Sequence, residues 1–105
     1  LGHALETCVL LELERRGAEI GYVRTTGGFE VDFLARYPDS RQELIQVCAD
    51  LDSPVTRERE TRALLAAATE HRRATLHLIS LVPELSRDLP KGVTAHAAVD
   101  WLLTE

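Results

Sequence analysis

The chain contains no methionine, only two cysteines, and no apolar run approaching the ~20 residues a membrane-spanning helix needs. It also lacks a basic excess, with 12 Lys+Arg against 17 Asp+Glu and a formal charge of −5. Each absence excludes something. Without a long apolar run there is no helical membrane span, and the chain reads as soluble and cytoplasmic. The acidic balance argues against a broad basic footprint for DNA or RNA, although it leaves room for a local one. Cys8 and Cys48 have no Cys or His nearby at metal-ligand spacing, which speaks against a structural zinc site and leaves two reduced thiols as the expectation. A sequence without methionine that opens directly into the helical pattern "LGHALETCVLLELERRG" reads as a piece of a longer protein. Secretory leader, low-complexity tract and internal repeat are all missing.

What is present suits one globular domain spanning residues 1–105. The 45% hydrophobic and 28% charged residues are ordinary for such a domain, and a chain this long buries roughly two-thirds of its unfolded surface. From Ala4 to Arg16 the pattern predicts a helix stopped by Gly17, with Leu5, Cys8, Val9, Leu10, Leu11 and Leu13 as a broad buried surface. At 100° per residue, Glu6 falls inside the arc made by Leu5, Val9, Leu13 and Leu10, so its carboxylate points inward or along a cleft edge.

"EIGYVRTT" and "FEVDFLAR" read as two strands joined across Gly27-Gly28, a strong hairpin signal. In the second, alternation places Val31 and Phe33 on one face and Glu30 and Asp32 on the other. In "ELIQVCADL" the same rule puts Ile45, Val47, Ala49 and Leu51 on one face, with Leu44, Gln46, Cys48 and Asp50 opposite. Ser53, Pro54 and Thr56 carry helix-start chemistry. "RERETRALLAAATEHRR" follows as an amphipathic helix with Leu64, Ala67 and Ala68 buried, Glu60 on the same side, and Arg72-Arg73 in its last turn. "ATLHLISLV" is nearly all apolar, as in a strand covered on both faces. "ELSRDLPKG" reads as a surface connection, "VTAHAAV" as a short last strand, and "DWLLTE" as the start of a helix. Trp101 reads as a packing anchor, and His3 and His71 as polar helix-end residues. Cys48 is expected to be a small buried residue and not a nucleophile, since nothing in the sequence ties His71, His77 or His96 to it. The fold class is therefore α/β, with an α-β-β-β-α-β core, a mixed central sheet flanked by helices, and a possible terminal β-α.

Helix-borne Glu6, strand-borne Asp32 and the run Gln46-Val47-Cys48 together resemble the restriction-endonuclease-like, or PD-(D/E)XK, nuclease superfamily. The resemblance implies that Glu6, Asp32 and Gln46 would surround a divalent metal, with Cys48 at the position of the superfamily's usual lysine. Four blocks in order, from Gly2 to Leu13, Glu30 to Phe33, Ile45 to Leu51 and Thr56 to Leu64, also resemble the domain of unknown function that follows the ATPase domain in many prokaryotic AAA-type ATP-binding proteins. That likeness implies a C-terminal fragment of a larger ATPase-like protein, with the parent's ATPase domain as a partner. The chain has no G-x-x-x-x-G-K-[ST], so nucleotide binding does not belong to this stretch.

A working site would use Mg²⁺, a hard ion preferring oxygen ligands, to polarise phosphate and acidify its bound water. Glu6, Asp32 and Gln46 would supply oxygens, with Glu30 as an outer partner. Without a cation, clustered carboxylates repel, and arginines Arg24, Arg57 and Arg59 are the candidates to pair with Glu6, Asp32 and Glu60. Cys48 cannot bring the ammonium charge that the lysine brings to a transition state. The expectation is accordingly a degenerate, non-catalytic site that requires no cofactor and recognises a protein partner or nucleic acid. An active Mg²⁺-dependent nuclease domain and a homo-oligomerisation module are the alternatives.

Overall fold

The computed structural model describes residues 2–49, 54–81 and 89–104. The elements are α1 (Gly2–Arg15), β1 (Glu19–Arg24), β2 (Glu30–Arg36), β3 (Gln42–Cys48), α2 (Pro54–Ala68), β4 (Ala74–Ser80), β5 (Val93–Ala97) and α3 (Ala98–Leu103). They form an α/β architecture around one five-stranded mixed sheet in the order β1-β2-β3-β4-β5. β1, β2 and β3 pair antiparallel, whereas β3, β4 and β5 run parallel. Among the described residues no helix is long and apolar enough to cross a membrane. Expectations for Asp50, Leu51 and Ser53, and for most of "ELSRDLPKG", lie outside the described residues.

Local chemistry explains where the elements stop. Gly17 takes a positive φ of 83°, so that the Ala18 N–H reaches back to the Leu13 carbonyl and the Gly17 N–H to that of Glu14, both at 3.0 Å. This paired closure satisfies carbonyls the helix end would otherwise strand. Between β1 and β2, Thr25 N–H donates to the Phe29 carbonyl at 2.8 Å, closing a tight loop in which Gly28 has φ 88°. Glycine reaches that conformation without a Cβ clash.

The core has two halves, one on each face of the sheet. Leu64, Ala63 and Ala67 of α2 pack with Val23, Val31, Leu34, Leu44, Cys48, Leu76 and Leu78. Leu5, Val9 and Leu13 of α1 and Trp101 of α3 pack on the other face with Ala35, Tyr37, Ile45, Val47 and Ile79. Each fully buried leucine or valine of the α1 stripe contributes about 1.5–3 kcal/mol. That stripe is narrower than its sequence suggests, because α1 meets the sheet along one side only: Cys8 and Leu11 are exposed.

α2 is also shorter than its sequence suggests. It ends at Ala68, where the Thr69 hydroxyl donates back to the Ala66 carbonyl at 2.7 Å. Such local bonding by a β-branched hydroxyl residue competes with helix continuation. Arg72-Arg73 therefore lie beyond the helix, in the turn before β4, and not in its last turn.

Candidate functional site

The strand register decides where Asp32 goes. Gly21 pairs with Leu34 but Val23 pairs with Val31, so Asp32 and Phe33 together stand opposite the single Tyr22. This is a β-bulge, and it breaks the alternation that placed Val31 and Phe33 on one face. Val31 belongs to the α2 half of the core, whereas Phe33 packs against the α1 half. Bulges re-aim side chains, and this one sits at the residue of greatest interest.

Regular pairing of β2 with β3 runs from Arg36↔Gln42 to Phe33↔Ile45. Beyond it, side chains replace the ladder. The Gln46 Oε1 accepts from the Asp32 N–H at 2.9 Å, its Nε2 donates to the Glu30 carbonyl at 3.2 Å, and the Val47 N–H donates to Asp32 Oδ2 at 2.8 Å. The two strands are thus clasped by a carboxamide and a carboxylate. Gln46 is buried, 2% exposed, so its bonds form away from competing water.

A cavity of about 360 Å³ opens beside this clasp, lined by Phe29, Glu30, Asp32, Gln46, Arg59 and Glu60 among others. Burial, above all, pushes the Asp32 carboxyl up to about 6; the Val47 N–H opposes this, and Glu6, Glu60 and Glu30 add to it by repulsion. Glu60 is also raised, by burial first, against the pull of Arg59. The fold therefore gathers Glu6, Glu30, Asp32 and Glu60 into one acidic neighbourhood built from α1, β2 and α2. The arginines answer it only in part. Arg24 pairs with Glu30 at 3.7 Å and Arg59 with Glu60 at 3.3 Å, both partly in solvent. Among the described residues neither Asp32 nor Glu6 has an ion pair; Arg57 sits half-buried on α2, its carbonyl accepting from the Thr61 hydroxyl. Among the same residues no three His, Cys, Asp or Glu side chains are grouped to hold one metal ion. Cys48 is 8% exposed within the α2 half of the core and forms no disulfide with the exposed Cys8.

A second polar cluster lies on the α1/α3 face, and sequence reasoning passed over most of it. His77 of β4 and His96 of β5 approach with Nδ1 and Nε2 2.9 Å apart, their rings stacked 5.1 Å between centroids. The far nitrogen of His77 meets the Thr75 hydroxyl at 2.7 Å and lies 3.6 Å from Glu43 Oε2. Tyr37 donates to the other Glu43 oxygen at 2.7 Å. Burial pushes both imidazoles below their ordinary value of 6.5, with Glu43 opposing this at His77. Arg16 braces the neighbourhood: it bonds Glu12, lies over the Trp101 ring at 4.3 Å, and donates to the carbonyls of Trp101 and Thr104 at the end of α3. The available signal was alternation, since Glu43, Ile45, His77, Ile79 and His96 share one face once β3, β4 and β5 are paired in parallel.

Comparison with family models, with curated proteins and with solved structures finds no match to this chain.

Proposed function

We propose that this chain is a non-catalytic accessory or regulatory domain of a AAA-type ATP-binding protein, built on a restriction-endonuclease-like scaffold whose nuclease site is degenerate. Its work is recognition of a protein partner or nucleic acid. The observation that carries this reading is the clasp. Gln46 Oε1, which would face a metal in a working site, accepts from the Asp32 N–H, and one Asp32 oxygen accepts from Val47. Side chains that the resemblance casts as ion ligands are here holding two strands together. Cys48 supports the same conclusion, because a buried thiol brings no cation to a developing phosphate charge.

One observation favours the alternative of an active Mg²⁺-dependent nuclease. Repulsion from Glu6, Glu60 and Glu30 helps to raise Asp32, and a divalent ion would relieve that crowding. The two readings separate in a cleavage assay with single- and double-stranded DNA in Mg²⁺ or Mn²⁺. The degenerate reading expects no metal-dependent cleavage by the native chain; cleavage lost in Asp32→Ala would overturn it. Cys48→Lys adds a second arm, since cleavage appearing only in that variant would mean that the rest of the site survives. Light scattering over a range of concentrations tests the oligomerisation module, which a strictly monomeric chain would exclude.

A further inference from the structure

We propose that His77 and His96 form a binding site for one divalent transition ion of the zinc, nickel or copper class, held between His77 Nδ1 and His96 Nε2. The separation of these nitrogens is 2.9 Å. Two imidazole ligands at about 2.05 Å from one ion lie about 2.9 Å apart at a right angle and about 3.3 Å apart at the tetrahedral angle. In the structure this distance is that of an N–H···N hydrogen bond between the rings, so an ion takes the place of its proton and the rings turn until both lone pairs meet on the metal.

The far side of His77 is arranged as metal-binding histidines are. The Thr75 hydroxyl lies 2.7 Å from His77 Nε2 and 3.4 Å from the Gln42 carbonyl, so with the ring in its Nε2–H tautomer the oxygen accepts from His77 while the hydroxyl hydrogen faces the carbonyl. Glu43 stands behind the same nitrogen at 3.6 Å. In that tautomer the Nδ1 lone pair is turned toward His96, whose Nε2 proton moves to its own Nδ1 when the ion enters, and a carboxylate behind the His77 ring raises its basicity as a ligand. Tyr37, donating to Glu43, holds that carboxylate in turn.

The charges around the pair are mixed: Glu43 acts on both imidazoles and Arg16 acts on His96. The pair borders a cavity of about 230 Å³ that Arg16, Arg41, Glu43 and Asp100 also line. Arg16 is matched by Glu12 and Arg41 by Asp39, each at 2.7 Å, and of the carboxylates lining this cavity neither Glu43 nor Asp100 has an arginine within ion-pair distance among the described residues. Nitrogen donors favour borderline transition ions over Mg²⁺ or Ca²⁺. The protein supplies two ligands, and water from the cavity completes the set.

Calorimetric titration with Zn²⁺ alone, or Cu²⁺ alone, near neutral pH should show one ion bound per chain, and bound Cu²⁺ should give a two-nitrogen paramagnetic-resonance signature. His96→Ala, on the edge strand, should weaken binding at least about tenfold and abolish that signature. Glu43→Gln, a positioning change, should weaken it about tenfold while keeping both nitrogens, and His3→Ala and His71→Ala should change nothing. Should His96→Ala fail to fold, imidazole nitrogen NMR of the native chain decides: Zn²⁺ must shift His77 Nδ1 and His96 Nε2 selectively. Absence of binding, binding that survives His96→Ala, or shifts confined to His3 and His71 would overturn the site.

Discussion

The clasp around Asp32 and the imidazole pair around His77 are both polar islands set against the same sheet, yet burial moves them in opposite directions. At the clasp it penalises a charge that is present at neutral pH, and three neighbouring carboxylates add to the penalty. At the imidazole pair it favours the neutral form that neutral pH already supplies. The first island is strained by its charge and held by its hydrogen bonds; the second is relaxed until acid reaches it. Acidic crowding and site integrity are therefore separate properties: Gln46 keeps the geometry that the carboxylates oppose.

The largest expected effect breaks the clasp itself. Gln46→Ala strands the Asp32 N–H and the Glu30 carbonyl and should cost about 3 kcal/mol in chemical denaturation, since each stranded group costs about 1–3 kcal/mol. A loss near zero would mean that the carboxamide holds nothing. Asp32→Asn should do the opposite. A carboxyl titrating near 6 instead of 3.8 binds extra protons in the folded state, so stability falls as pH rises from 3.8 through about 6 and the deficit is complete above. The full shift corresponds to about 3 kcal/mol, and partial contact with water lowers the expectation to about 1–2 kcal/mol. The variant should be more stable than the native chain at neutral pH, with that advantage gone below 3.8.

Smaller effects sharpen the other side. His77 and His96, held below 6.5, bind fewer protons folded than unfolded, so their contribution is intact above 6.5 and is lost as pH falls through and below it. Thermal melts of His96→Gln should show a shallower acid limb just below 6.5, with an unchanged limb contradicting the assignment. Least of all should come from Arg24→Ala. Its pair with Glu30 at 3.7 Å is largely in solvent, and a change above about 1 kcal/mol would show that the arginine does more than screen.

Much of this architecture was legible in the sequence, and particular residues show where legibility ended. Gly17 and Gly27-Gly28 announced a helix stop and a hairpin because those conformations need glycine or favour it. Leu5, Val9 and Leu13 announced the face of α1 through local period, and Trp101 and Cys48 fell in the core as their chemistry suggested. Asp32 and Gln46 were visible as candidates, but their mutual bonds were not. A bulge is a relation between strands: two residues facing Tyr22 leave no mark in the alternation of β2 read alone. His77 and His96 stayed hidden for the same reason. Only the parallel register across β4 and β5, which sets His77 against Thr94 and Ile79 against His96, brings the rings together.

The most direct test of the clasp is the titration of the Asp32 carboxyl carbon by NMR, with and without millimolar Mg²⁺. A carboxyl engaged in holding β2 to β3 should titrate near 6 in both conditions. A midpoint that drops sharply when Mg²⁺ is added would place a cation against Asp32 and contradict the account.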